Sequence, residues 1–155
     1  MAYDKQTEKI LSLNEWGKEE GQQLSDLSKV NADKIVEVAC NVGKHLQKGM
    51  YKDKDKNKDY PMKLKMNQIR KFLDAVRRIE ADLKGNKTFE DVKDTIILLR
   101  PKLAYAAGRE KKVKPLMNVL DPAIKSGAQS EKNFMMLLRL IESIIAYHRF
   151  YDGTN

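Results

Sequence analysis

Apolar residues recur at helical spacing through most of the chain. The clearest stripe comprises Ile69, Phe72, Leu73, Val76, Ile79 and Leu83, with cations largely on the opposite face. Intervals of three and four residues place side chains on one face of a helix, so this segment predicts an amphipathic helix that starts at an Asn67 cap and ends at Gly85. A second stripe after Asn31, with Ile35, Val38, Ala39, Val42, Leu46 and Met50, predicts another helix.

Three further helices are predicted towards the C-terminus. Thr88–Asp91 resembles an N-terminal capping sequence, so a helix is expected over 89–109, kinked or split by Pro101. Residues 113–126 predict a short helix disrupted at Pro122 and stopped by Gly127. Ser130 is expected to cap a last helix that reaches about Tyr151. We find no convincing strand pair, so the predicted fold class is all-α, a compact bundle of five to six helices, one kinked at Pro101.

Two segments carry weaker patterns. Residues 5–16 suggest a short helix ending near Gly17, and the N-terminal segment 1–32 as a whole is poorly patterned. Residues 51–61 alternate Lys and Asp and offer nothing to a core, which is typical of a mobile loop. The alternative for 51–61 is a loop that orders on a ligand. The length of 155 residues fits a single helical domain over 1–155.

Cysteine content and apolar run lengths limit the cellular setting. The one cysteine, Cys40, cannot form an internal disulfide, and it lies in the second apolar stripe, where a buried side chain is expected. The N-terminus leads into no long apolar run, so no secretory signal is predicted, and no run is long enough to span a bilayer. These features predict a cytoplasmic protein without a membrane role.

The net charge of +8 is concentrated in two windows. Residues 44–66 carry eight lysines and three aspartates, and residues 100–114 carry six lysines or arginines and one glutamate. Each window is therefore +5, and the rest of the chain is slightly acidic. Clustered cations of this kind indicate a polyanion-binding surface. A merely solubilising surface would give the same composition.

The sequence gives no positive case for an enzyme. Its two histidines, His45 and His148, lie on different predicted helices, so a metal-independent ribonuclease is an alternative without a supporting motif. We expect His45 at the surface and His148 at the edge of the core. No cluster of metal ligands and no Gly-rich phosphate loop is present, so no catalytic residue, metal or cofactor is predicted.

The helix after Asn67 carries a ladder of cations. Arg70 and Arg77 are seven residues apart, as are Lys71 and Arg78, which is about 10 Å along one helix face. Such a ladder matches successive phosphates of a nucleic-acid strand, although an ordinary charged face has the same spacing. Asp74, between the pairs, is expected to hold the guanidinium groups.

The second basic window mixes small residues and one tyrosine with its cations. Tyr105 has two interpretations: a core residue with its hydroxyl at the edge, which is the commoner arrangement, or a ring that stacks on a base. Gly108 is expected either to end this helix or to allow a partner to approach closely.

Three stretches of this chain resemble the small subunit of the type III-A CRISPR interference (Csm) complex. They are Met66–Leu73 with Val76–Ile79, then Leu99–Arg109, and finally Phe134 with Ile145–Tyr151. Their order and spacing match over residues 60–153, and Leu99–Arg109 is the most specific of them. Residues 1–50 match only loosely.

The resemblance implies an all-helical, non-catalytic subunit. Several copies would stack along a filament of repeated backbone subunits, beside the guide RNA and the target RNA, while a neighbouring subunit cleaves the target. The family's basic positions would fall on Arg70, on Arg77 or Arg78, and on Lys102, Arg109 and Lys111. With the neighbouring lysines, the predicted RNA-binding residues are Lys63, Lys65, Arg70, Lys71, Arg77, Arg78, Lys102, Arg109 and Lys111. A purely structural bridge between subunits is the main alternative.

Overall fold

A computed structural model describes residues 9–152 of the chain. The helices are α1 (Lys18–Gln22), α2 (Ala32–Lys48), α3 (Arg70–Lys84), α4 (Phe89–Ile97), α5 (Leu99–Arg109), α6 (Lys114–Gly127) and α7 (Glu131–Asp152). The strands are β1 (Met50–Asp53) and β2 (Lys58–Pro61). Short 3-10 turns occupy Leu27–Lys29, Met66–Ile69 and Lys111–Val113. Apart from the five-residue α1, the described residues form six helices, so the predicted all-α bundle is confirmed.

Helices α2 and α7 pack against each other in antiparallel directions. Cys40 Sγ lies 3.6 Å from Tyr151 Oη, and one turn further along α2 the backbone of Gly43 lies against His148. A Cβ on Gly43 would stand 2.7 Å from the His148 backbone nitrogen, so only glycine allows the helices to approach this closely. The predicted α2 stripe is buried from Ile35 to Leu46, and the helix begins after Asn31 as predicted; the Asn31 side chain caps it by accepting from Lys34 N–H.

Helices α3, α4 and α5 form the side of the bundle that carries most of the predicted cations. Thr88 and Asp91 make a reciprocal capping box at the start of α4, as the sequence predicted. The long predicted helix is split at Leu98, and Pro101 lies in the first turn of α5, where its missing N–H removes no helical hydrogen bond. Residues Ile69, Phe72, Val76 and Ile79 are buried beneath α3.

Pro122 does not disrupt α6, contrary to the prediction. The helix runs unbroken from Lys114 to Gly127. Pro122 cannot donate to the Asn118 carbonyl four residues earlier, and the backbone of Gly21 lies directly against that carbonyl. Asn118 Nδ2 also donates to the carbonyl oxygens of Asn14 and Trp16, at 3.0 and 3.2 Å. The N-terminal segment therefore packs against the turn of α6 in which the hydrogen bond from residue 122 to Asn118 is missing.

The prediction that the chain contains no strand pair was wrong. Within the charged segment 51–61, β1 and β2 form an antiparallel hairpin in which Tyr51 faces Tyr60. The two rings stack at 5.7 Å, and Tyr51 is buried. Asn57 takes the positive φ of 51° that the turn requires, a conformation asparagine tolerates better than most residues. Because lysines and aspartates alternate between Tyr51 and Tyr60, the sequence shows no sign that these two tyrosines pair across the strands.

Two local predictions near the ends of helices were also wrong. Residues 9–16 form an extended stretch followed by turns rather than a helix, because Leu11 and Ser12 pair with Lys52 at the edge of β1; residues 5–8 lie outside the described part of the chain. Asn67 does not cap α3. It lies inside the 3-10 turn Met66–Ile69, and its backbone oxygen accepts from Arg70 N–H.

Nothing among the described helices is long and apolar enough to cross a membrane.

Candidate nucleic-acid interface

The outer face of α3 presents four cations to solvent. Arg70, Lys71, Arg77 and Arg78 are exposed, because the apolar stripe on the opposite face is held in the core. Seven-residue spacing on a regular helix sets Arg70 and Arg77 about 10 Å apart. Asp74 is exposed as well, but it forms no ion pair with any of these cations, so its predicted clamping role is wrong.

A groove of about 450 Å³ lies where α3 meets α5, and it is lined by one cation of the α3 ladder and one cation of the second basic window. We call it the α3–α5 groove; its lining residues are Lys71, Leu98, Pro101, Lys102 and Tyr105. Tyr105 is 64% exposed, so the expectation that it belongs to the core is wrong. The guanidinium carbon of Arg109 lies 5.9 Å from the centre of the Tyr105 ring. Lys71 and Lys102 therefore line one groove with Tyr105, and Arg109 lies against the ring of the same tyrosine.

Lys63 and Lys65 line a different depression, the α2–α7 groove, of about 820 Å³. The segment before α3 alternates: Met62 and Leu64 are buried, whereas Lys63 and Lys65 point outward. Lys48 at the end of α2 and Arg149 near the end of α7 line the same groove. Those two cations were missed from the sequence, because only the antiparallel packing of α2 on α7 places them there.

Lys111 occupies a third position, beside the hairpin. Its Nζ lies 5.8 Å from the centre of the Tyr51 ring, and it lines a cleft with residues of β1 and the segment 12–15. The acidic side chains Glu15, Asp53 and Asp55 line this cleft too, so its charge is mixed. The structure therefore does not bring Lys111 into either of the other grooves.

The nine predicted cations share one property that distinguishes them from structural charges. All nine are exposed, and within the described part of the chain none belongs to an ion pair. Arg100, from the same basic window, behaves differently. It makes two hydrogen bonds to Asp121, at 2.8 and 3.1 Å, and this carboxylate raises the pKa of the guanidinium. Arg100 therefore ties α5 to α6, while its neighbours keep their donors free.

Both histidines have structural contacts. His148 is buried, and its Nε2 donates to the backbone oxygen of Leu64 at 2.6 Å, which fixes the segment carrying Lys63 and Lys65. His45 was predicted to lie at the surface, and that prediction was wrong. The residue is half-buried, and its ring stacks on Trp16 with centroids 3.7 Å apart. Burial lowers the pKa of His45 to about 4. No cluster of three or more metal-ligating side chains occurs among residues 9–152.

Comparison with known proteins identifies the family. No curated protein and no solved structure gave a match. The family model described as Csm2 Type III-A matches residues 29–154, which is most of the chain and includes α2 to α7. This span contains all three stretches whose resemblance was noted from the sequence. The chain therefore belongs to the Csm2 Type III-A family, and so to the subunits of type III-A CRISPR complexes.

Proposed function

We propose that this chain is a non-catalytic subunit that binds the sugar–phosphate backbone of target RNA and guide RNA without reading sequence. The observation that supports this best is the α3–α5 groove, where Lys71 from one part of the chain and Lys102 from another line the same depression. Arg70, Arg77 and Arg78 extend the positive surface along α3. Arginine and lysine side chains without protein partners are the groups that bind phosphates.

Rigidity favours this function over a solubilising role. The cations lie on α3 and α5, whose opposite faces are buried in the bundle, so the backbone positions that carry them are fixed relative to one another. A fixed array binds phosphates with less loss of side-chain and backbone freedom than a flexible tail. In an RNA-guided complex, base pairing between guide and target reads the sequence, so a protein subunit needs only to match backbone charge and shape.

Contacts with the other subunits are the second part of the proposal. The chain would pack against the repeated backbone subunit and against further copies of itself along the filament. Large apolar side chains remain exposed away from the α3–α5 groove, including Val36 on α2 and Phe150 on α7, which is 73% exposed. These exposed residues also favour the competing function, a structural bridge that makes no RNA contact. Photo-crosslinking of the assembled complex separates the two, because a pure bridge gives no RNA adducts on residues 63–112.

Charge reversal on α3 tests the RNA site directly. In the double variant Arg70→Glu/Arg77→Glu, binding of a labelled single-stranded RNA should weaken at least about tenfold at low salt, and the slope of log affinity against log salt should fall by roughly 1.4, or about 0.7 per lost phosphate contact. The assay is fluorescence anisotropy of the purified full chain over a range of salt concentrations. Gel analysis of the same samples should recover the RNA uncut, and shortened RNA would contradict the non-catalytic role.

The matched control is Lys29→Glu/Lys132→Glu, which changes the net charge equally. Both lysines are exposed and lie outside α3 and α5, near the start of α7, and Lys29 makes only an exposed ion pair with Asp26 at 3.8 Å. Binding by this variant should stay close to that of the unmodified chain. Equal losses in the two variants would mean that only net charge matters, and unchanged binding in the α3 variant would refute the site.

A further inference from the structure

Tyr105 is exposed in a way that the fold itself does not require. The side chain is 64% exposed on α5, and Leu98, which lines the same groove, is 54% exposed. An aromatic and an aliphatic side chain that line one groove and remain exposed forgo the free energy of burial, and such a patch in a globular protein generally marks a binding site. The groups around Tyr105 indicate which class of ligand binds to this patch.

The helix around Tyr105 leaves its ring accessible. On an α-helix, the neighbours of residue 105 on the same face are residues 101, 102, 108 and 109. Gly108 has no side chain, and a Cβ placed there would meet nothing within 4 Å, so packing against residues 9–152 does not require glycine. The helix continues past it to Arg109, so Gly108 does not end α5 as one prediction held. Its effect is to keep one flank of the tyrosine open.

Charge identifies the occupant. Lys71 and Lys102 line the α3–α5 groove together with Tyr105, and the guanidinium carbon of Arg109 lies 5.9 Å from the centre of the Tyr105 ring. None of these cations has an acidic partner among the described residues. An apolar protein surface docked on this patch would bury three uncompensated positive charges, which is costly. A nucleotide instead supplies a flat base for the ring and a phosphate for the cations.

We infer that Tyr105 stacks on an unpaired base of single-stranded RNA, while Lys71, Lys102 and Arg109 bind the flanking phosphates. This inference rests on the proposed function and adds a contact with a base to one that otherwise involves only the backbone. Stacking tolerates every base, because each has a π-face, so the contact agrees with binding that ignores sequence. Stacking on Tyr105 does require an unpaired base that is not stacked between its neighbours in a double helix, so double-stranded RNA should not bind through Tyr105.

The test compares two strands of equal length and equal charge. One is a single-stranded oligoribonucleotide, and the other carries the same sugar–phosphate chain without bases. The purified full chain should bind the base-bearing strand roughly 5- to 150-fold more tightly, as expected for one stacked base. In Tyr105→Leu this preference should fall towards one, with affinity for the abasic strand unchanged. Tyr105→Phe retains the ring and should retain the preference.

Four outcomes would count against the inference, and they differ from one another. If the unmodified chain binds both strands equally and with strong salt dependence, the proposed function survives and the stacking contact is refuted. If it binds neither strand, the proposed function itself fails. A Tyr105→Leu variant that loses affinity for both strands to the same degree shows a role in folding or partner packing instead. Loss of the preference in Tyr105→Phe would assign it to the hydroxyl group rather than to stacking.

Discussion

Arg70 and Lys71 form the first turn of α3, which is the end of a helix where the backbone dipole is positive. No acidic residue occupies this turn, and neither cation has an ion-pair partner in the described part of the chain. Cations at a helix N-terminus are unfavourable for the fold. If they serve RNA binding, they do so at the expense of stability. Neutralising them should therefore stabilise the protein while weakening its hold on RNA.

The size of the effect follows from the dipole interaction. Each cation at a helix N-terminus costs about 0.3–1 kcal/mol at low ionic strength, so Arg70→Gln/Lys71→Gln should gain roughly 0.6–2 kcal/mol. For a chain of this length, that corresponds to a rise in Tm of about 1–8 °C. Thermal unfolding followed by circular dichroism at low salt measures it. The gain should shrink at about 1 M salt, where the screening length is only about 3 Å.

Lys84 supplies the matched control on the same helix. It lies in the last turn of α3, where a cation is favourable, and its Nζ is 3.3 Å from Glu80. Lys84→Gln removes one charge of the same sign and should lower Tm slightly, because both the dipole interaction and an exposed ion pair are lost. A fall in Tm for Arg70→Gln/Lys71→Gln as well would show that position on the helix does not decide the sign. The idea that α3 sacrifices stability for binding would then be wrong.

Two further predictions concern packing and pH. Gly43→Ala would place a Cβ within 3 Å of the α7 backbone, so it should lower stability by up to about 3 kcal/mol in chemical denaturation despite the better helix propensity of alanine. The control Gly108→Ala meets no neighbouring atom and should raise stability by about 0.5–1 kcal/mol; equal effects at the two sites would contradict the close α2–α7 contact. Burial lowers the pKa of His45 to about 4, so the folded state resists protonation there. Stability should be fully present above about pH 6.5 and should decline as the pH falls towards 4, by at most about 1.4 kcal/mol per unit from this residue. His45→Phe keeps the stack on Trp16 and should reduce the dependence of the denaturation midpoint on pH over this range. If the pH dependence of this variant is unchanged, His45 is not the source of that dependence.

Helix positions could be predicted from the sequence because each depends on local information. The stripe from Ile69 to Leu83 required only the spacing of apolar residues, and the capping box at Thr88 required only two residues three positions apart. The start of α2 after Asn31 and the cap at Ser130 were confirmed for the same reason. Asn67 shows the limit of this reasoning: a suitable residue stands before the helix, but the chain enters α3 through a 3-10 turn that uses its backbone instead.

Features that depend on distant contacts were missed. The hairpin is held by Tyr51 and Tyr60 and by an edge pairing with Ser12, and none of these contacts leaves a periodic pattern in a run of lysines and aspartates. Pro122 was predicted to disrupt α6, because the sequence does not show that Gly21 and the segment 14–16 cover the carbonyl left without a donor. Lys48 and Arg149 join one groove only because α2 and α7 run antiparallel.

The α3–α5 groove illustrates how a residue that breaks a helix also builds a site. From the sequence, Pro101 predicts only a split between two helical segments, and the split does occur at Leu98. In the structure, Leu98 and Pro101 also line the groove in which Lys102 and Tyr105 lie beside Lys71. A continuous helix over 89–109 would carry these residues along one straight axis, and α5 would not have its own direction relative to α3. The position of Tyr105 beside a cation from α3 therefore depends on the interruption, whereas the positive charge alone was visible in the composition.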